Sequence, residues 1–565
     1  MADPYRIFPD GYQSRASAGE GMSVPPAVYP PYPPTSLPSG ATLPAVAIPR
    51  TRTQPVIPQK PTQRSTRRIL FWMVGVALAI RVAVLLCTYQ GRLIPIMNYW
   101  FMGQEEGHVA QSIVQGHGFG NPLYTQTGPT AWFAPVYPYI LAGFFKVFGT
   151  FTPASCIAIL CFDALVSSLT CIPIFLFSRR SFGEGAALAA GWTWAAYPYA
   201  VWWPVYRIWD TWLVTLLLAT LFYLILKLQH TSKIKHWIGF GLLAGFAALV
   251  DPIVMGVLPI LALWALWRLY KRGTANATGA DLLATTSRFA MRQPIGDNAS
   301  NGRALRQNGV APPHKKAKTV CKVNAGRLFA CGACCVLAVI FAISPWMIRN
   351  AVVFHKFIPI RDNLPLEFRV GNNGDSSEPL IIDAGPWVPW VDNTEWNEYT
   401  HMGELAYFHL KGQQAKAYIE AHPLWYAGMM ARRFVYVWTG FWSFSKRYMS
   451  DPYANHEIDF VTTPLLALLS ILMLMGLRRT YRKKGANVAA PYAVVVIFFP
   501  LVYYLTHVGG WYRCPMEPII IPLAAYEVHA RAVAWLGERR QKMEIARASE
   551  MLEESGEEVP AAPFS

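Results

Sequence analysis

Between Ile69 and about residue 534 the chain carries ten apolar runs, at about 69–89, 155–177, 184–204, 209–227, 236–250, 252–269, 327–346, 459–477, 489–507 and 515–534. Most approach the ~20 residues an α-helix needs to cross a bilayer. Backbone groups in lipid must be satisfied within the chain, so such runs fold as helices. Only 15% of the residues are charged, well below the roughly 25% of soluble domains. These features predict an all-α polytopic membrane protein.

The net charge is +17. The basic residues cluster at Arg64–Arg68, Lys227–Lys235, Arg268–Lys318, Arg478–Lys484 and Arg539–Lys542. All flank apolar runs, as the positive-inside rule requires of cytoplasmic segments. With no recognisable nucleic-acid-binding fold, the charge gives no nucleic-acid partner. Nine cysteines lie mostly within apolar runs. Cys331-Gly-Ala-Cys334-Cys335 has no nearby His, and reads as a set of small residues for helix packing rather than a metal site.

Residues 1–62 are rich in Pro, Ser and Thr, a composition that predicts a disordered cytoplasmic tail. The first apolar run comes too late and is too long for a cleaved signal peptide. It is expected to stay as the first span of an N-terminal membrane module, 63–269. A basic cytoplasmic insertion (270–326), a span with an outer loop domain (327–457), C-terminal membrane hairpins (458–535) and a cytoplasmic tail (536–565) follow. One more apolar stretch, 131–148, is short and carries Pro135 and Pro138. An odd number of crossings must separate the outer side after the first span from the basic Lys227–Lys235, so 131–148 is expected to be re-entrant or interfacial. Two large outer loops result, 90–154 and 347–457.

The first outer loop holds Gly103-Gln-Glu-Glu-Gly-His-Val-Ala110. Val109, Ile113 and Val114 have helical spacing, so Glu105 and Glu106 should open a short surface helix that Gly116–Gly120 ends. Carboxylates in a first turn are stabilised by the helix dipole, and the same groups at a membrane boundary could deprotonate a hydroxyl. Asp210, in Tyr206-Arg-Ile-Trp-Asp-Thr211, lies at a span mouth on the same outer side. It is either an interfacial anchor or a functional carboxylate. Asp251, before Pro252 at a hairpin tip, is a helix cap or a substrate contact. Arg349, Arg361 and Arg369 are cations on the outer side, against the positive-inside trend. They are either solvated or set to bind a lipid phosphate. Arg513 and Glu517, four apart, either pair with one another or bind phosphate and orient that group.

The set resembles the polytopic GT-C-type glycosyltransferases, in particular bacterial proteins akin to protein O-mannosyltransferases and to lipid A aminoarabinose transferases. The matching elements are the motif around Glu105, Gly116-His-Gly-Phe-Gly120, Gly128-Pro-Thr-Ala131 with Pro135-Val-Tyr-Pro138, Trp209-Asp-Thr211, Pro345-Trp-Met-Ile-Arg-Asn350 and Tyr512-Arg-Cys-Pro-Met-Glu-Pro518. They cover about residues 65–535.

The resemblance implies about 10–11 transmembrane helices with a catalytic first outer loop and a mixed outer loop domain. It implies transfer of a sugar from a polyprenyl phosphate to a hydroxyl on the outer face, with inversion. Glu105 would be the base, or Glu106, since many relatives carry Asp at the first position; many carry Glu in place of Asp210. Arg349 and Arg513 would stabilise the departing phosphate. Some such enzymes need a divalent cation and others do not, and no metal cluster is legible here. The acceptor is left open between glycan, lipid and protein. The expected location is the inner (cytoplasmic) membrane with both termini cytoplasmic. A lipid or sugar transporter, or a flippase, is the competing reading; no internal repeat of the kind transporters carry is visible.

Overall fold

The computed structural model describes residues 63–88, 102–123, 125–272, 325–374, 389, 392–440 and 456–554. Most of the insertion, the Pro-rich segment, Trp387, Trp390 and Trp442 lie outside these residues. The helices, in order, are α1 (Gln63–Thr88), α2 (Gln104–Val114), α3 (Val136–Phe148), α4 (Pro153–Leu169), α5 (Cys171–Phe182), α6 (Glu184–Ala196), α7 (Pro198–Tyr206), α8 (Thr211–Leu228) and α9 (Ile234–Val250). Next come α10 (258–272), α11 (Ala325–Phe354), α12 (Leu364–Gly371), α13 (Asn393–Met402), α14 (Glu404–Ala421) and α15 (Pro423–Thr439). The last four are α16 (His456–Lys484), α17 (Ala486–Phe498), α18 (Leu501–Leu505) and α19 (Glu517–Glu554). Among the described residues the strand content is one bridge, between Gly120 and Pro129.

Each of the ten apolar runs falls on helix. Among the described residues seven stretches are long and apolar enough to cross a membrane: Thr66–Thr88, Pro153–Phe182, Thr211–Leu228, Ala325–Phe354, Phe460–Lys484, Ala486–Leu505 and Cys514–Glu550. The other three runs are α6–α7, divided at Tyr197 where Pro198 follows, the 17-residue α9, and α10. Helix α3 has 13 residues; at 1.5 Å per residue it is ~20 Å long, too short to cross alone. Large apolar side chains face outward along α1 and α11, with Phe71, Leu86, Phe329 and Phe341 all exposed. Such an outer surface suits lipid, not water.

Close helix approach is made by small residues. Gly241 and Gly245 of α9 lie on one face, and a Cβ at either would stand within 2.3 Å of Cys335 O or 2.6 Å of Ala342 Cβ in α11. The cysteine run of α11 is thus one side of a small-residue seam, as its sequence predicts. Arg81 sits inside the first span, fully buried. It donates to Ser167 Oγ (3.1 Å) and to the carbonyls of Ala195 (3.1 Å) and Trp194 (3.4 Å). Those carbonyls lie where α6 stops before Pro198, with Trp194 O also accepting from Tyr197 N, so the buried cation helps cap a broken helix.

Helices α12–α15, in the segment expected to lie outside, pack on one another. Lys411 of α14 is buried and reaches Glu395 (2.7 Å) and Glu398 (2.6 Å), tying α13 to α14. Arg433 of α15 binds Asn372 Oδ1 (3.0 Å), Leu505 O (3.2 Å) and Gly371 O, tying α15 to the end of α12 and to α18. Two chain ends run further than their hydrophobicity suggests: α11 continues through Pro345 to Phe354, and α19 continues to Glu554.

Candidate functional site

Gly103, at φ 79°, turns the chain into α2 and leaves Glu105 and Glu106 in its first turn. The sequence predicts a surface helix; instead both carboxylates are buried, each 3% exposed. Successive helical residues point about 100° apart, so the two face different surroundings. Glu106 lines a cavity of about 430 Å³. Glu105 is not among its lining residues, and its nearest cationic influence is Arg207. Burial pushes the Glu105 carboxyl up to about 8, against the pull of its own backbone hydrogen bond and of Arg207. Burial also pushes Glu106 well above its ordinary value, and repulsion from Asp210 and Glu105 adds to this, with Arg361 opposing.

Six parts of the chain meet at this cavity, one of them at Phe133. Helix α2 supplies Glu106, and the start of α8 supplies Trp209 and Asp210. Asp210 stands at the α8 N-cap position without making a side-chain cap bond, so its carboxylate is not taken up by the helix end. The turn after α9 brings Asp251, which does cap, accepting from Ile253 N at 3.0 Å. Its Oδ1 also lies 3.2 Å from Arg361 Nη2, on the segment between α11 and α12. Burial opposes the charge on Arg361, but Asp251, Asp210 and Glu367 outweigh it and raise its basicity.

Glu367 of α12 and His507, beyond α18, complete the charged lining. His507 Nε2 lies 2.7 Å from Glu367 Oε2, and Asn363 Nδ2 donates to Glu367 Oε1 at 2.8 Å. Burial would raise the Glu367 carboxyl, yet His507, Arg361 and Asn363 together hold it below its usual range. The cavity therefore offers two mutually repelling carboxylates able to take up a proton, beside a guanidinium able to hold an anionic oxygen.

Of the sequence-predicted residues, Glu106, Asp210, Asp251 and Arg361 come together here, and the other charged candidates lie elsewhere. Arg349 donates to Phe119 O (2.7 Å), Thr130 O (2.8 Å) and Asn350 Oδ1 (2.9 Å), with its guanidinium 4.8 Å from the Trp346 ring centre. Arg369 occupies the last turn of α12 and is not part of the lining. Arg513 and Glu517 pair at 3.2 Å. Arg513 also binds Val437 O and Trp438 O (3.1 Å each) and Ser470 Oγ (2.8 Å), while Glu517 accepts from Tyr197 OH at 2.8 Å. Trp438 donates to Tyr504 OH at 2.8 Å, and Trp396 packs on the core. Among the described residues no group of three or more His, Cys, Asp or Glu side chains is arranged to hold a metal ion.

Three functional residues escape the sequence reading. Glu367 lies two positions before Arg369 in a motif read for its arginine. His507 stands in Thr506-His-Val-Gly-Gly510, which has no legible pattern. Arg207 places its guanidinium 3.7 Å from the Trp511 ring centre and 4.8 Å from that of Trp209, behind two aromatic walls of the cavity. Glu404 of α14 is a fourth buried carboxylate. It accepts from Ala131 N (2.6 Å), Thr130 Oγ1 (2.5 Å) and Tyr399 OH (3.1 Å). With Arg349 it clamps the Gly128–Ala131 run just ahead of Phe133, another wall residue.

Residues 132–293 match the family model of dolichyl-phosphate-mannose-protein mannosyltransferases. With this match the chain is similar to the GT-C-type polytopic membrane glycosyltransferases. The matched span contains Asp210 and Asp251 but ends before Arg361. No curated protein matches the chain. Among solved structures, a crystal structure of the Archaeoglobus fulgidus oligosaccharyltransferase with zinc and sulfate aligns at 10% identity and TM-score 0.36, covering 85% of this chain and 51% of that one. The A. fulgidus enzyme AglB, in complex with an inhibitory peptide and a dolichol-phosphate, aligns at 13% identity and TM-score 0.37, covering 88% and 53%. ArnT from Cupriavidus metallidurans, in the apo state, aligns at 11% identity and TM-score 0.28, covering 80% and 77%. The chain spans about half the length of the oligosaccharyltransferases it matches.

Proposed function

We propose that this protein is a membrane glycosyltransferase that moves a sugar from a polyprenyl phosphate to a hydroxyl acceptor at the outer face of the membrane. The observation that carries the reading is one cavity lined by Glu106, Asp210 and the Arg361–Asp251 pair. The family match over 132–293 supports it.

In this reading the acceptor oxygen attacks the anomeric carbon as the bond from that carbon to the phosphate oxygen breaks, inverting the centre. The acceptor proton passes to Glu106, whose affinity for it is heightened by burial and by Asp210. The polyprenyl phosphate departs as an anion beside Arg361. Asp251 orients that guanidinium. Glu105 supports α2 from behind, opposite Arg207. Arg349, Arg369, Arg513 and Glu517, first considered for the phosphate, act in this proposal as supports of the outer layer. No step is routed through a metal ion, since the described residues offer no set of ligands for one.

The test is transfer of radiolabelled sugar from a panel of polyprenyl-phosphate hexoses and pentoses to membrane acceptors by the purified full-length chain. Wild type transfers from at least one donor, and Glu106→Gln does so at a small fraction of the rate. Wild-type inactivity across the whole panel overturns the reading. Reporter fusions after residues 62, 150 and 554 test the proposed inner-membrane orientation, with the first and last reading cytoplasmic and the second external.

A further inference from the structure

His507 is 2% exposed and lines the cavity, with its ring against Tyr512 at a centroid distance of 5.6 Å. Its Nε2 is committed to Glu367, and Glu367 is committed in turn to Asn363. Its Nδ1 is buried and has no hydrogen-bond partner among the described residues. A buried polar atom left unmatched is costly, and the cost is removed when a ligand supplies the partner.

The tautomer specifies what that partner must be. Glu367 accepts from Asn363 at Oε1 and faces His507 Nε2 at Oε2, so Nε2 carries a proton toward it, and the neutral imidazole in this tautomer has its lone pair at Nδ1. A lone pair repels a phosphate oxygen and welcomes a hydroxyl. Arg361, close enough to Glu367 for each to alter the other's acidity, is the group for the phosphate. A hydroxyl presented near that phosphate belongs to the sugar attached to it.

We propose that His507, oriented by Glu367 and Asn363, is a recognition residue that accepts a hydrogen bond from a hydroxyl of the donor's sugar. The proposal rests on the glycosyltransferase reading and deepens it. It makes the carboxylate–imidazole pair a sensor of the sugar rather than of the lipid or the phosphate.

Glu367→Gln isolates the effect with little change of shape. The Gln oxygen keeps the bond from Asn363, so its amide NH₂ faces His507 Nε2. The imidazole must then carry its proton on Nδ1, which turns the acceptor into a donor. The measurement is the affinity of the full-length protein in nanodiscs for undecaprenyl phosphate and for undecaprenyl phosphate bearing mannose, glucose, galactose or arabinose.

Wild type is expected to bind a sugar-bearing lipid more tightly than the bare lipid. Glu367→Gln and His507→Leu should lose roughly tenfold of that increment, read as the ratio of sugar-bearing to bare-lipid affinity, with the thermal midpoint near wild type. If His507→Leu does not fold, Glu367→Gln carries the test alone. An unchanged increment in folded Glu367→Gln overturns the proposal and assigns the hydroxyl, if any, to the acceptor. Equal losses for both lipids reduce the dyad to packing and also overturn it. A wild type that binds all these lipids alike removes sugar sensing but leaves the transferase reading intact. A wild type that binds none of them removes both.

Discussion

Replacing Glu106 and Glu105 singly by Gln separates chemistry from support within one helical turn. Glu106 lines the cavity and Glu105 does not. Removing a general base costs typically 10²–10⁴ in rate, or about 2.7–5.4 kcal/mol of transition-state stabilisation. Asp210 repels Glu106 strongly enough to affect its protonation and remains in Glu106→Gln. It can take over part of the task, so the lower half of that range, ~10²–10³, is expected.

Glu105→Gln should keep more than a tenth of wild-type turnover and should gain thermal stability. Its carboxyl moves from an ordinary 4.5 to about 8 on folding, which bounds the recoverable ionisation cost at roughly 5 kcal/mol. The measured gain will be smaller, because Gln sacrifices the attraction to Arg207. A folded protein carries the raised carboxyl at least cost below its unfolded value, so the gain should be small at pH 5 and full above pH 8. Single-turnover transfer from the active donor and thermal unfolding across pH 5–8.5 provide both readouts. Full activity in folded Glu106→Gln, with loss in Glu105→Gln, would refute the assignment drawn from the cavity.

Gly371→Ala places a Cβ 2.0 Å from Thr506 O. The resulting overlap should separate α12 from the segment bearing His507, lower the thermal midpoint by an amount equivalent to about 1–3 kcal/mol and weaken sugar-bearing donor; an unaltered midpoint contradicts the close approach. Arg349→Ala frees the carbonyls of Phe119 and Thr130 and should expose the 118–131 loop to limited proteolysis at donor affinity within about threefold of wild type. A collapse of bare polyprenyl-phosphate binding instead makes Arg349 a phosphate ligand. Wild-type thermal stability should fall as the pH rises from 5 to 8. Glu404, raised by burial to about 7, and Glu105, raised to about 8, contribute stability that is complete below their unfolded values and is lost as each ionises. A midpoint that rises over this interval contradicts both.

The membrane helices were legible because their cause is local: ten apolar runs become helix wherever the backbone must satisfy itself in lipid. The helix at Glu105 was legible for a similar reason, in its spacing of Val109 and Ile113. Its burial was not. It comes from tertiary packing that brings distant groups beside α2, among them Arg207, Asp210 and Arg361. Glu367 and His507 were missed because each becomes informative only through the other, 140 residues distant. Asp210 and Asp251 show the same limit. Asp210 read as an interfacial anchor or a functional group and Asp251 as a helix cap or a substrate contact, and only three-dimensional placement shows that Asp210 makes no cap bond while Asp251 caps and also holds Arg361.

Arginines in the segments expected to lie outside break the positive-inside trend, and a bound phosphate is the obvious explanation for them. Most here meet a different need. Helices that end or bend in a dense outer layer leave carbonyls without N–H partners, and a guanidinium with five donors can satisfy several at once. Arg349 does this for Phe119 and Thr130, Arg433 for Gly371, Tyr504 and Leu505, and Arg513 for Val437 and Trp438. Arg361, like Arg513, has a carboxylate as its salt-bridge partner, but Arg361 lies at the edge of a cavity and is 28% exposed, whereas Arg513 is 5% exposed and also bound to carbonyls. An arginine committed to carbonyls is spent on the fold, whereas one at a cavity edge can turn toward an arriving anion. On that distinction Arg361 is the proposed phosphate contact, and mutating Arg361 rather than the clamping arginines should change donor affinity without loosening the outer layer.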